Sequence, residues 1–165
     1  MKIEDVRRVL VVGAGTMGQE IGLQCAMHGY DVTIYDVAQE ALDAATARQE
    51  AVLTDFVAEG RLTEGQKEAT LARMTATVDP EEAAAGADLL SESVPEKPAL
   101  KGQVFAQFNE LCPPRTVFTT NTSSFVPSIF AEASGRPARF AAFHFHHVVW
   151  VSNVVDIMPH PGTAQ

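Results

Sequence analysis

The sequence predicts an α/β fold: a doubly wound, mostly parallel sheet with helices on both faces. Three observations predict it. Strand-like and helix-like segments alternate from the first residues with short connections. The first strand, Val9 to Val12, is a continuous apolar run, as expected of a strand buried on both faces. A glycine-rich turn that opens a helix follows at once, Gly13-Ala-Gly15-Thr-Met-Gly18.

The remaining elements follow in order. Met17, Ile21, Cys25 and His28 recur at helical spacing, and Gly29 is a C-terminal stop. Val32 to Tyr35 is a second strand closing at Asp36, which completes a β-α-β unit. Ala38 to Glu59 is rich in Ala and Glu and free of Pro and Gly, so it favours a long helix that Gly60 ends. A second helix runs from Glu64 to about Met74, making a helical insertion after the second strand. Strands three and four are expected at Thr75–Val78 and Leu89–Val94. Lys97 to Cys112 is an amphipathic helix ended by Pro113-Pro114. Thr116–Thr119, a short helix Val126–Ala133, Phe140–Phe145 and Asn153–Met158 complete the set.

Composition sets the class. The 165 residues, 46% of them hydrophobic, support one domain with a real core but not two full ones. With 21 acidic and 12 basic side chains the net charge is -9, and no Lys/Arg cluster stands out. Nucleic acid and anionic membranes are therefore not expected as partners. The apolar run near the N-terminus is too short for a signal segment or a membrane span. Cys25 and Cys112 lie far apart in helical patterns, as buried small hydrophobes of a reducing compartment. A cytoplasmic protein is expected.

The glycine turn carries the first chemistry. Gly13 permits the tight turn, Gly15 lets a pyrophosphate approach the backbone, and Gly18 lets the helix pack close to the sheet. Thr16 and Met17 open that helix, whose unpaired N–H groups and positive dipole end suit phosphate. Asp36 follows Gly18 by eighteen residues at the end of the next strand, near the interval of about 20 seen in Rossmann dinucleotide sites. Its carboxylate can accept hydrogen bonds from the ribose hydroxyls and would repel a 2′-phosphate. No Arg or Lys lies between Asp36 and Arg48, so the expected cofactor is NAD rather than NADP.

Three further segments fall beyond strand ends, where ligand groups gather in such sheets. They are Ser91-Glu-Ser-Val-Pro-Glu96 with Lys101 after it, Thr120-Asn121-Thr-Ser123-Ser124, and His144-Phe-His146-His147 with Asp156 twelve residues later. With these motifs in this order, essentially the whole chain resembles the NAD-binding domain of the 3-hydroxyacyl-CoA dehydrogenase family of fatty acid metabolism. The resemblance implies NAD-dependent oxidation of a 3-hydroxyacyl-CoA to the 3-oxo compound. It implies that His144 is the catalytic base, that Asp156 stands where the family has a Glu partner, and that Ser123 holds the substrate's 3-oxygen. It also places Glu96, Lys101 and Asn121 at the cofactor and CoA cleft.

General chemistry agrees with the pairing. Oxidising a secondary alcohol needs a base for the hydroxyl proton, and a carboxylate on the far nitrogen fixes the imidazole tautomer. Asp is one methylene shorter than Glu, so the two strands must lie closer or a water must bridge. Plainer roles stand beside these, Lys101 as a solvated helix charge and Ser123 as a turn or cap residue.

The sequence departs from the family pattern His-Phe-Phe-Asn-Pro, reading His144-Phe145-His146-His147-Val148. His147 cannot offer the donor–acceptor pair of an amide. The change suggests an acyl-CoA of unusual shape, or a 3-hydroxy acid without CoA. Trp150 follows in the loop between the two strands, where it could cover the cleft. His144, His146, His147, Asp156 and His160 invite a metal by ligand type; the hydride chemistry already uses His144 and Asp156, so no metal is expected. In the resembling family a C-terminal helical domain closes over the substrate and makes a homodimer. This chain is therefore expected to be the NAD-binding part, residues 1–165, of a truncated two-domain enzyme. The alternative is a non-catalytic NAD-binding module.

Overall fold

The apolar run near the start of the chain becomes the middle of a seven-stranded sheet. The structure, a computed structural model, describes residues 2–164. Strand β1 (Arg8–Val12) leads into α1 (Thr16–Met27) and β2 (Asp31–Tyr35), then α2 (Gln39–Ala58), α3 (Glu64–Leu71) and β3 (Met74–Thr77). The chain returns through α4 (Pro80–Ala84) to β4 (Leu89–Glu92), α5 (Pro98–Leu111), β5 (Val117–Thr120) and α6 (Ser128–Ala131). It finishes with β6 (Phe140–Phe145), α7 (Val149–Ser152) and β7 (Val155–Pro159). The strand order is β3-β2-β1-β4-β5-β6-β7. All neighbours pair in parallel except β7, which runs antiparallel to β6.

This is the Rossmann-type fold expected, with its helical insertion after the second strand. The chain runs outward from β1 in one direction and from β4 in the other, which opens a crevice beyond their carboxyl ends. The period of two along β1 sorts the core into two layers. Val9 and Val11 pack with Ile21, Ala26 and Leu42 on the α1–α2 side. Leu10 and Val12 pack with Phe105, Phe108, Phe118, Phe130 and Phe140 on the other. Phe105 meets Phe140 edge to face at 4.9 Å between ring centres. Fully burying each such ring contributes about 1.5–3 kcal/mol.

Several boundaries moved for local reasons. Strand β4 stops at Glu92 rather than Val94 because the Glu92 carboxylate accepts the Val94 N–H at 2.8 Å and turns the chain. The unanticipated α4 is opened by Asp79, whose side chain accepts the N–H groups of Glu81 and Glu82, with Pro80 in the first turn. The helix expected over Val126–Ala133 contracts to α6, and the one-turn α7 was not anticipated. Among the described residues no helix is long and apolar enough to cross a membrane. Burial pushes the thiols of Cys25 and Cys112 up to about 11, so neither is a ready nucleophile.

Asp88 pins the far end of the sheet. One of its carboxylate oxygens accepts the Arg7 and Arg8 N–H groups at 3.0 Å each, and the other takes Arg115 Nε at 2.9 Å. Burial raises its pKa, but these donors outweigh burial and hold the carboxyl below the ordinary aspartate range. Asp88→Ala is expected to cost about 2 kcal/mol in urea unfolding, since it strands two backbone donors. The stabilisation is full above the unfolded aspartate pKa of about 3.9 and is lost as pH falls through the depressed folded value. The variant should therefore show a shallower acid limb of stability.

Candidate active site

Two adjoining clefts open at the carboxyl ends of the strands. The larger, about 760 Å³, is lined by Gly13, Gly15, Thr16, Met17 and Asp36 on one side and by Val94, Leu100 and Val104 on another. The three glycines act in three different ways. Gly13 has φ +106°, and a Cβ there would meet the Ser93 carbonyl oxygen at 2.8 Å. A Cβ on Gly18 would overlap the Gly13 carbonyl oxygen, so only glycine lets α1 sit this close to the turn. At Gly15 a Cβ would meet nothing within 4 Å, so this is open space over the backbone. Gly15 caps α1 without any side-chain acceptor, which leaves the first N–H groups of the helix for a ligand.

Asp36 closes this cleft from β2. Its carboxylate accepts the Ala14 N–H at 2.8 Å and the Ala38 N–H at 3.1 Å, tying the glycine turn to the end of β2. Each carboxylate oxygen keeps a further lone pair for ribose hydroxyls. None of the residues lining the cleft is Lys or Arg, so nothing there would welcome a 2′-phosphate.

The smaller cleft, about 400 Å³, shares Met17, Ser93 and Val94 with the first and adds Glu96, Asn121, Ser123, His144, His146 and His147. His144 and Asp156 are direct partners in the antiparallel β6–β7 register. Antiparallel pairing is what brings residues twelve apart in sequence onto one face. His144 Nδ1 lies 3.4 Å from Asp156 Oδ2, while His146 Nε2 approaches the same oxygen at 2.9 Å. The shorter aspartate thus reaches His144 with a long contact and shares its oxygen with a second imidazole. Hydrogen bonding from His146 first, and then from His144, holds the Asp156 carboxyl below the usual range although it is exposed.

Asn121 ties the loop after β5 to β6, its Oδ1 accepting the Phe145 N–H at 2.9 Å. Ser123 is exposed on the loop after β5 and faces the same cleft. Glu96 also lines it, held by the Thr122 hydroxyl and by Lys101 Nζ at 3.1 Å.

Lys101 departs from expectation. A solvated charge is one expectation for it, yet its side chain is fully buried and reaches the smaller cleft only through Glu96. Its ammonium is 2.7 and 2.9 Å from the two oxygens of Glu92, which is equally buried. Thr120 Oγ1 donates to Glu92 at 2.6 Å. Burial raises the Glu92 pKa while Lys101, then Thr120 and the Val94 N–H, act against it. The physical reason for the placement is that Glu92 ends an interior strand and needs a cation, which the first turns of α5 supply.

Trp150 is also misplaced by expectation. It packs edge to face on Phe56 of α2, 5.9 Å between ring centres, and lines neither cleft. Two residues were missed. Ser93 lines both clefts and its hydroxyl has no partner among the described residues. Glu20 on α1 is buried to 1% and accepts the Val149 N–H at 3.1 Å. A lone carboxylate in the otherwise uncharged run of α1 was the available signal.

His144, His146 and Asp156 each bring a ligand atom within 4.8 Å of the others, a donor set of the type that holds divalent metals. The imidazole–carboxylate contacts themselves also account for the grouping.

A glycine-turn crevice joined to a cleft bearing an imidazole–carboxylate pair defines the class, a dinucleotide-binding domain of the dehydrogenase kind. Comparison with known proteins gives the family. Residues 8–165 match the family model described as 3-hydroxyacyl-CoA dehydrogenase, NAD binding domain, and the chain belongs to that family, with NAD as cofactor. It is 39% identical over 160 residues to the 3-hydroxyadipyl-CoA dehydrogenase of Escherichia coli (strain K12), covering 97% of this chain and 34% of that protein. It is 31% identical over 161 residues to a probable 3-hydroxybutyryl-CoA dehydrogenase of Bacillus subtilis (strain 168), covering 98% and 56%. The crystal structure of a (S)-3-hydroxybutyryl-CoA dehydrogenase from Ralstonia eutropha superposes with a TM-score of 0.94 at 28% identity, over 98% of this chain and 56% of that one. The chain thus spans between a third and somewhat over half of these relatives' lengths.

Proposed function

We propose that this chain is the NAD-binding part of a two-domain dehydrogenase that oxidises a 3-hydroxyacyl-CoA, or a related 3-hydroxy acid, to the 3-oxo compound. The observation that carries this reading is the His144–Asp156 pair, facing each other across β6 and β7 in a cleft continuous with the glycine-turn crevice. NAD, when bound, accepts the hydride from the hydroxyl-bearing carbon. Gly13, Gly15, Thr16, Met17, Gly18 and Asp36 would hold it, and the open space at Gly15 fits a pyrophosphate.

His144 takes the hydroxyl proton as the carbon–hydrogen bond breaks, so the substrate loses one hydride and one proton and gains a carbonyl. Asp156 holds Nδ1 and thereby leaves Nε2 as the atom that receives the proton. Ser123 donates to the substrate's 3-oxygen, and Asn121 keeps β6 in register beneath the base. Lys101 acts only from below, by neutralising Glu92 and anchoring Glu96. The family names of the relatives support the substrate class.

The test is NADH formation from 3-hydroxybutyryl-CoA by the protein that carries this chain. NAD binding without turnover across 3-hydroxyacyl-CoA and free 3-hydroxy acids would favour a non-catalytic module instead. Proton removal by an imidazole needs no metal, so chelator-treated, metal-free protein is expected to keep its full rate. A rate that vanishes on chelation and returns with zinc would instead assign His144, His146 and Asp156 to a metal.

A further inference from the structure

A second imidazole in the same cleft also has a carboxylate behind it. His147 lines the cleft three residues after His144, at the position where the family pattern carries Asn. Its Nδ1 lies 2.9 Å from Glu20 Oε1, on the helix whose N-terminus closes the glycine turn. Glu20 is only 1% exposed, and its other oxygen already takes the Val149 N–H at 3.1 Å. Oε1 takes no hydrogen bond among the described residues, although His147 Nδ1 lies within hydrogen-bond distance of it. A buried carboxylate oxygen without a donor is costly. His147, a half-exposed ring, places Nδ1 at hydrogen-bond distance from that oxygen.

We propose that Glu20 is a positioning residue that fixes His147 through Nδ1 and so leaves Nε2 as the ring's one hydrogen-bonding atom for the acyl part of the substrate. An amide at this position offers a donor and an acceptor together; a tethered imidazole offers a single atom at a fixed place. The Glu20 carboxylate also holds the segment carrying His147 and Val149 against α1. The wall of the acyl cleft is thereby joined to the cofactor helix. The contact to substrate rests on the dehydrogenase reading above, whereas the Glu20–His147 pairing does not.

Two measurements test it. Imidazole nitrogen NMR of the protein that carries this chain reads the pairing without any turnover. His147 is expected to carry its proton on Nδ1, with that signature lost in Glu20→Gln. Glutamine retains an acceptor for Val149 N–H, so folding should survive. Should the variant not fold, the wild-type spectrum decides alone, and a His147 protonated only on Nε2 overturns the proposal. The second measurement is a cycle of Glu20→Gln, His147→Ala and the double variant on kcat/KM for the acyl substrate. Glu20→Gln should lower it about tenfold to a hundredfold, with KM for NAD within about twofold. In the His147→Ala background the same change should cost less than about twofold. An equal loss in both backgrounds, or a nitrogen spectrum indifferent to Glu20→Gln, would overturn the proposal. An intact NMR signature in a protein that turns over no 3-hydroxyacyl-CoA would sink the dehydrogenase reading and leave the pair standing.

Discussion

His144→Ala should lower kcat for 3-hydroxyacyl-CoA oxidation by about a thousandfold, within the span of 10²–10⁴ that a positioned general base contributes. The loss should fall on kcat and on kcat/KM alike, because the imidazole acts on a proton that moves only in the transition state. NAD affinity should stay within about twofold, since His144 lies in the smaller cleft and does not line the glycine-turn crevice. The fold should be retained as well, because the side chain is partly exposed and supports no buried donor. Steady-state kinetics with NADH absorbance, alongside NAD titration, check all of these. Asp156→Asn should give a smaller loss, because His144 reaches that carboxylate only at 3.4 Å and His146 shares it at 2.9 Å.

The largest expected effect on stability belongs to Lys101→Met, about 3–5 kcal/mol of destabilisation. The methionine fills the space, but it leaves Glu92 as a fully buried carboxylate without its cation, and the desolvation that already raises the Glu92 pKa is then opposed only by Thr120 and the Val94 N–H. The sign with pH follows from that raised value. A carboxyl whose folded pKa lies above its unfolded one favours folding as it gains a proton, so the deficit is greatest at neutral pH and shrinks as pH falls into and below the raised range. Pairing Lys101→Met with Glu92→Gln should recover a large part of the loss, because the charge that demanded a partner is gone. Urea titrations at two pH values read both statements. NAD binding measured at a denaturant-free temperature well below unfolding should change much less, since neither residue lines the glycine-turn crevice.

The strands and the glycine turn were legible because their signals are local. A continuous apolar run such as Val9–Val12 is read directly as an interior strand, and Gly13 and Gly18 each have a steric reason to be glycine at the turn. The His144–Asp156 facing was legible through resemblance to a family rather than through spacing alone, since only the antiparallel register of β7 brings the two together.

The rest was hidden because it depends on what lies across the fold. Whether Lys101 points to solvent or inward is decided by Glu92, a charge that an interior strand cannot leave unpaired. Trp150 follows the one-turn helix α7 onto Phe56, a contact between segments almost a hundred residues apart. Glu20 carried a faint signal, a charge among the apolar and small residues of α1, but its partner lies 127 positions away. In each case a buried charge or a large ring found its neighbour through tertiary packing, which no window of sequence contains.

The most direct test of the central claim is a single turnover of the NAD-loaded protein with 3-hydroxybutyryl-CoA deuterated at the hydroxyl-bearing carbon. Hydride transfer with His144 as base predicts that the deuterium appears on the reduced nicotinamide, one per 3-oxo product formed, and that His144→Ala slows its appearance by about a thousandfold. Deuterium released to solvent, or transfer that proceeds undiminished without the imidazole, would contradict it.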